Sequence, residues 1–121
     1  MPGADLDLMR GTLDLLVMRA VVPKPLHGFG IVRWIRQATQ DDIKVEDGAL
    51  YLSLRRLEER KLVRGSWGIT ENNRRARYYE LTASGRETLA RDTATWTAYA
   101  AAVFRVLKSQ REAIRLLEQL T

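Results

Sequence analysis

The stretch Gly65-Ser-Trp-Gly-Ile-Thr-Glu-Asn-Asn-Arg-Arg-Ala-Arg-Tyr-Tyr-Glu-Leu-Thr82 decides the reading of this chain. Turn formers flanked by β-prone residues predict a hairpin of two short strands, Leu62–Trp67 and Arg77–Leu81. Tyr78, Tyr79 and Leu81 supply the strand propensity. The polar tip carries Asn72, Asn73, Arg74 and Arg75, with Arg77 close behind. Three arginines within four residues repel one another on an idle hairpin. Beside a phosphate backbone the same side chains release condensed counterions and gain affinity. The competing reading is a merely solvated charged loop.

Working outward, the segment before the hairpin reads as a helix from Glu46 to Lys61. Leu50, Leu54, Leu57 and the stem of Lys61 fall along one line, and Gly48, Leu52, Arg55, Arg56 and Glu59 lie opposite, with Tyr51 on the flank. A helix from His27 to Thr39 precedes it, with Phe29, Ile31, Trp34, Ile35 and Ala38 as the expected buried residues. The first helix, Leu6 to Val22, has two apolar faces and ends before Pro23, where the ring breaks the hydrogen-bond ladder. The last helix begins at Thr82 or Ser84 and runs to Lys108 or beyond. Leu89, Trp96 and Val103 recur in sevens along it, as do Thr93, Ala100 and Leu107.

This order predicts a mainly α fold with a small β-hairpin wing. Residues 1–82 would form a winged helix-turn-helix DNA-binding domain, and residues 83–121 a C-terminal dimerisation helix and tail. In that architecture Glu46–Lys61 is the recognition helix, whose N-terminal residues meet base edges in the major groove. The expected DNA contacts are His27, Lys44, Asp47, Gly48, Ala49, Tyr51, Leu52, Arg55 and Arg56, with Asn72, Asn73, Arg74, Arg75 and Arg77 on the wing. Gly48 and Ala49 permit close approach, Tyr51 can donate to a phosphate, and Arg55 and Arg56 suit phosphate or guanine. Leu6, Met9, Leu13, Leu89, Trp96, Ala100, Val103 and Leu107 are the expected dimer residues.

Composition agrees with a nucleic-acid partner. The 121 residues suffice for one domain and carry a net charge of +5. The excess is local: Arg55 to Arg77 holds eight Lys/Arg against three Glu, whereas residues 1–14 hold three Asp and one Arg. Without cysteine there are no disulfides and no cysteine-ligated zinc. No apolar run is long enough to span a membrane, and the acidic start does not resemble a secretory signal, so a cytoplasmic protein is expected.

Several stretches resemble the PadR family of bacterial transcriptional regulators. They are Arg10-Gly-Thr-Leu-Asp-Leu-Leu16, Leu26-His-Gly-Phe-Gly-Ile31, Gly48-Ala-Leu-Tyr-Leu-Ser-Leu-Arg-Arg-Leu-Glu58 and Arg74-Arg-Ala-Arg-Tyr-Tyr-Glu-Leu-Thr-Ala-Ser-Gly85. The wing is most similar to a short subgroup called acidobacterial-type. The resemblance implies a homodimeric winged helix-turn-helix repressor whose last helix dimerises. Leu52 departs from the family pattern, which usually has proline after the tyrosine; leucine favours the helix.

Enzyme chemistry finds no foothold. The chain has no glycine-rich phosphate loop, nucleophile elbow or His-Glu-x-x-His. His27 is the only histidine and is expected to cap a helix or touch a phosphate rather than bind metal. No cofactor is expected. The expected partners are a double-stranded DNA operator and a second copy of the chain. Trp96 reads as core or dimer seam, or with Met9, Leu16 and Tyr99 as the seat of a planar apolar effector. The alternatives to a repressor are therefore a small-molecule sensor with its pocket at the dimer interface, or a winged-helix protein-interaction module.

Overall fold

The computed structural model describes the backbone of residues 6–120 and the side chains of 11–109 and 114–120. The element order is α1 (Leu6–Ala20), β1 (Leu26–His27), α2 (Gly28–Ala38), α3 (Asp47–Glu59), β2 (Val63–Ile69), β3 (Arg75–Leu81) and α4 (Ala83–Leu120). The mainly helical fold with a hairpin and a long last helix matches the sequence expectation.

Helix α1 stops two residues short of the expected Val22. The residue before a proline is pushed out of the α region, and Val21 and Val22 instead donate to the carbonyls three residues back. Helices α2 and α3 both end in a Schellman turn. After α3, the Lys61 amide donates to the Glu58 carbonyl and the Leu62 amide to Leu57, with Lys61 in the left-handed region at φ 61°. That turn exposes Lys61, so its stem does not continue the buried leucine line. After α2, Gln40 and Asp41 donate to Gln37 and Arg36 in the same pattern.

The sheet is antiparallel in the order β1-β3-β2, with Leu26 opposite Tyr79 and Val63 opposite Leu81. The two-residue strand β1 is absent from the sequence reading. Both hairpin strands are longer than expected, so Arg75 and Ala76 belong to β3 rather than to the loop, while Arg77 lies in the strand as expected.

One core unites these elements: Val17, Met18, Ala20 and Val21 of α1, Ile31 and Ile35 of α2, Leu50, Leu54 and Leu57 of α3, then Leu62, Val63, Tyr79 and Leu81. Two expectations for α2 are overturned. Phe29 is 71% exposed and Ala38 is exposed, because the buried stripe is the narrower Ile31–Ile35 line with Trp34 at its edge. Leu13, Leu15 and Leu16 pack against the core while remaining partly exposed.

Thr82 ties three elements together. Its hydroxyl donates to the Lys61 carbonyl at 2.8 Å and accepts the Gly85 amide at 2.9 Å, so Thr82 rather than Ser84 caps α4. The chain divides into two compact units, Met1–Leu89 and Ala90–Thr121. The first holds the sheet, α1–α3 and the opening turns of α4. The second is the remainder of α4. Among the described residues no helix is long and apolar enough to cross a membrane.

Candidate nucleic-acid interface

The wing tip is built by Thr70. Its amide donates to the Arg74 carbonyl at 2.8 Å, its carbonyl accepts from Asn73 at 2.9 Å, and its hydroxyl accepts from the Arg74 amide at 3.2 Å. Asn73 sits at φ 60°, completing a turn followed by a left-handed residue, a common three-residue hairpin loop. Asparagine tolerates that region better than most residues. The result holds Asn72, Asn73, Arg74 and Arg75 exposed at the end of the hairpin.

Arg77 behaves differently. Its Nη2 donates to Glu58 Oε2 on α3 at 3.0 Å, and that hydrogen bond raises the guanidinium further above its ordinary value. The side chain crosses Gly65, where an added Cβ would lie 2.5 Å from Arg77 Nε. A side chain at 65 would therefore push the Arg77 guanidinium out of this crossing. Burial pushes the phenol of neighbouring Tyr79 up from its usual value.

On α3, Asp47, Gly48, Tyr51, Leu52 and Arg55 face outward, and Ala49 is half-buried. A Cβ at Gly48 would meet nothing within 4 Å, so no contact within the protein demands glycine there. Arg55 forms an exposed pair with Glu59, 3.4 Å apart. Lys44 is exposed in the loop before the helix.

Arg56 does not share the outward face expected of it. Its Nη2 and Nε donate to Asp14 Oδ1 and Oδ2 at 2.7 and 3.2 Å, and the buried Ser53 hydroxyl donates to the same carboxylate. The fork locks α3 to α1. Sequence reading missed Asp14 and Ser53, whose only local signals are a polar residue within each apolar face.

His27 is the N-cap of α2. Its Nδ1 accepts the Gly30 amide at 3.0 Å, which places the ring proton of the neutral form on Nε2. Its ring also meets Tyr78 edge-on, centroids 5.2 Å apart. Among the described residues, no three His, Cys, Asp or Glu gather as a metal site.

The remaining candidates belong to the two units separately. Leu89 is half-buried, Ala100 is partly exposed, and Trp96, Tyr99, Val103 and Leu107 are exposed along α4. The side chains of Leu6 and Met9 lie outside the described residues.

A three-stranded sheet with an extended hairpin, following a helix whose start faces outward, defines a winged helix-turn-helix protein. The chain belongs to the PadR-like family of transcriptional regulators, whose family model matches residues 17–91. An uncharacterised protein of Lysinibacillus sphaericus is 26% identical over 90 residues, covering 74% of this chain and 83% of the relative. A transcriptional regulator from Clostridium thermocellum has a similar structure, with a TM-score of 0.74 at 22% identity over 82% of this chain and 96% of that one. A PadR family regulator from Eggerthella lenta is 29% identical with a TM-score of 0.68, over 84% and 87% of the two chains. The family is one of DNA-binding regulators, not enzymes.

Proposed function

We propose that the protein is a dimeric repressor that binds a pseudo-palindromic operator. The observation that carries this reading is one compact unit presenting both an outward-facing α3 start and a wing tip of exposed asparagines and arginines. Asp47, Gly48, Tyr51, Leu52 and Arg55 would face the major groove, with Lys44 and Ala49 beside them and His27 holding the start of α2. Asn72, Asn73, Arg74 and Arg75 would grip the flanking backbone or minor groove. Arg56 and Arg77 serve the interface indirectly, by fixing α3 and the wing. Two copies would join through the α4 stripe of Leu89, Trp96, Ala100, Val103 and Leu107, together with Leu6, Met9 and Leu13 of α1.

The test is a titration of duplex DNA from upstream of the protein's own gene at several salt concentrations. Arg74→Ala with Arg75→Ala should weaken binding to every duplex and lower the log–log salt slope by roughly 0.9 for each phosphate no longer neutralised. Unchanged affinity and slope would overturn the assignment.

A second reading adds an effector. Exposed Trp96 and Tyr99, three residues apart on one helix, favour a planar apolar ligand, with Met9 and Leu16 as further candidates. Tryptophan fluorescence during titration with planar aromatics, with Trp96→Ala as control, tests it.

A further inference from the structure

The outer half of the wing carries an exposed indole, Trp67, whose direction follows from the strand register. Val63, Gly65, Trp67 and Ile69 alternate onto one face of β2 and lie opposite Leu81, Tyr79, Arg77 and Arg75. Val63, Tyr79 and Leu81 are buried, so this is the face turned toward the helices. Arg77 fixes the side more closely: it bonds Glu58 of α3 at 3.0 Å, and its guanidinium lies 5.9 Å from the Trp67 ring centroid. Trp67 therefore faces the recognition-helix side of the hairpin, beyond the reach of core cover. It is 59% exposed and Ile69 is 63% exposed. The Arg75 guanidinium lies 4.4 Å from the indole centroid.

On this face an apolar row, Trp67 and Ile69 of β2, lies beside a cationic row, Arg77 and Arg75 of β3, as deoxyribose lies beside phosphate in a DNA strand. We propose that Trp67, with Ile69 beside it, is itself a DNA contact. The indole is a flat seat for a deoxyribose of the strand running between α3 and the wing. This inference rests on the DNA-binding reading above. It adds an uncharged component to an interface otherwise argued from charge.

Two roles of the indole give different results. A ring that touches DNA contributes contact energy without releasing counterions, whereas a ring that only supports Arg75 acts through a phosphate contact. Fluorescence anisotropy would be followed with a labelled duplex from the upstream region across a salt series, for the full-length chain, Trp67→Ala, Trp67→Phe and Arg75→Gln. Trp67→Ala is expected to weaken binding about tenfold with an unchanged salt slope, and Trp67→Phe to keep most of the affinity. Arg75→Gln is expected to lower the slope.

Unchanged affinity in Trp67→Ala overturns the proposal and leaves this face to a protein partner. A slope reduced as in Arg75→Gln also overturns it, since the indole would then be only a support. Failure of the unmodified chain to bind any duplex is a separate result, which overturns the DNA-binding reading itself. A second measurement does not depend on the folding of Trp67→Ala. In protein labelled with 5-fluorotryptophan, the Trp67 resonance, assigned by its loss in Trp67→Phe, should shift on adding duplex. An unmoved resonance at saturation overturns the contact.

Discussion

Removing the Asp14 carboxylate is the sharpest test of how α3 is held. In Asp14→Ala the guanidinium of Arg56 loses both acceptors, and the Ser53 hydroxyl, on a residue with 0% exposure, loses the acceptor it has in the fold. Stripping one partner from a fully buried pair costs about 3–5 kcal/mol. Here the Arg56 side chain keeps 31% exposure, so water can partly replace the carboxylate. The stranded serine adds a smaller and overlapping penalty. A total of about 2–3 kcal/mol follows, a large share of the roughly 5–15 kcal/mol that holds a domain together. Thermal unfolding followed by circular dichroism, at one fixed protein concentration because association shifts the midpoint, should show a drop of roughly 8–12 °C. Arg64→Ala, which removes an exposed cross-strand pair with Glu80, serves as the contrast and should cost under about 1 kcal/mol. The triple change Asp14→Leu, Ser53→Ala, Arg56→Met removes every polar member together and should recover much of the loss. A fall of less than about 3 °C in Asp14→Ala would refute the view that this carboxylate anchors the helix.

Gly85→Ala should destabilise by about 1–3 kcal/mol in urea unfolding, because a methyl there collides with the Leu62 carbonyl oxygen, which cannot swing aside as a side chain would; an unchanged midpoint would contradict this packing. Tyr79 has a phenol raised above its ordinary value chiefly by burial. The stability this contributes is complete below about pH 10 and is lost as pH rises through the higher folded value, so Tyr79→Phe should flatten the alkaline limb of the stability curve. Identical alkaline slopes for both proteins would exclude that assignment. Light scattering should give a dimer mass at micromolar concentration, and truncation after Arg91 should produce aggregation; a stable full-length monomer would end the dimer proposal.

What could be read from sequence was local. Leu50, Leu54 and Leu57 lie within a span of helical periodicity, so the buried face of α3 is legible without any knowledge of packing. Turn chemistry and charge likewise mark the wing. The partners of Arg56 and Arg77 are not legible for the opposite reason: the carboxylates that hold them lie 42 and 19 residues away, and periodicity carries no information about such partners. Strand β1, two residues long, exists only by pairing with β3. Phe29 reads as core because it is aromatic and near the stripe, but α2 meets the core over a narrower arc. The side faced by Trp67 requires the register between β2 and β3, which turn chemistry and strand propensity do not specify.

The bare backbone at Gly65 has a consequence for how this sequence can change over generations. Positions 58, 65 and 77 form one heritable set: the carboxylate needs the guanidinium, and the guanidinium needs a gap to cross. A side chain arriving first at 65 would displace Arg77 and strand Glu58, so drift at any one site meets resistance from the other two. In a lineage where residue 65 has gained a side chain, the partners at 58 and 77 should have been replaced as well, and the wing should be held to the recognition helix by some other means.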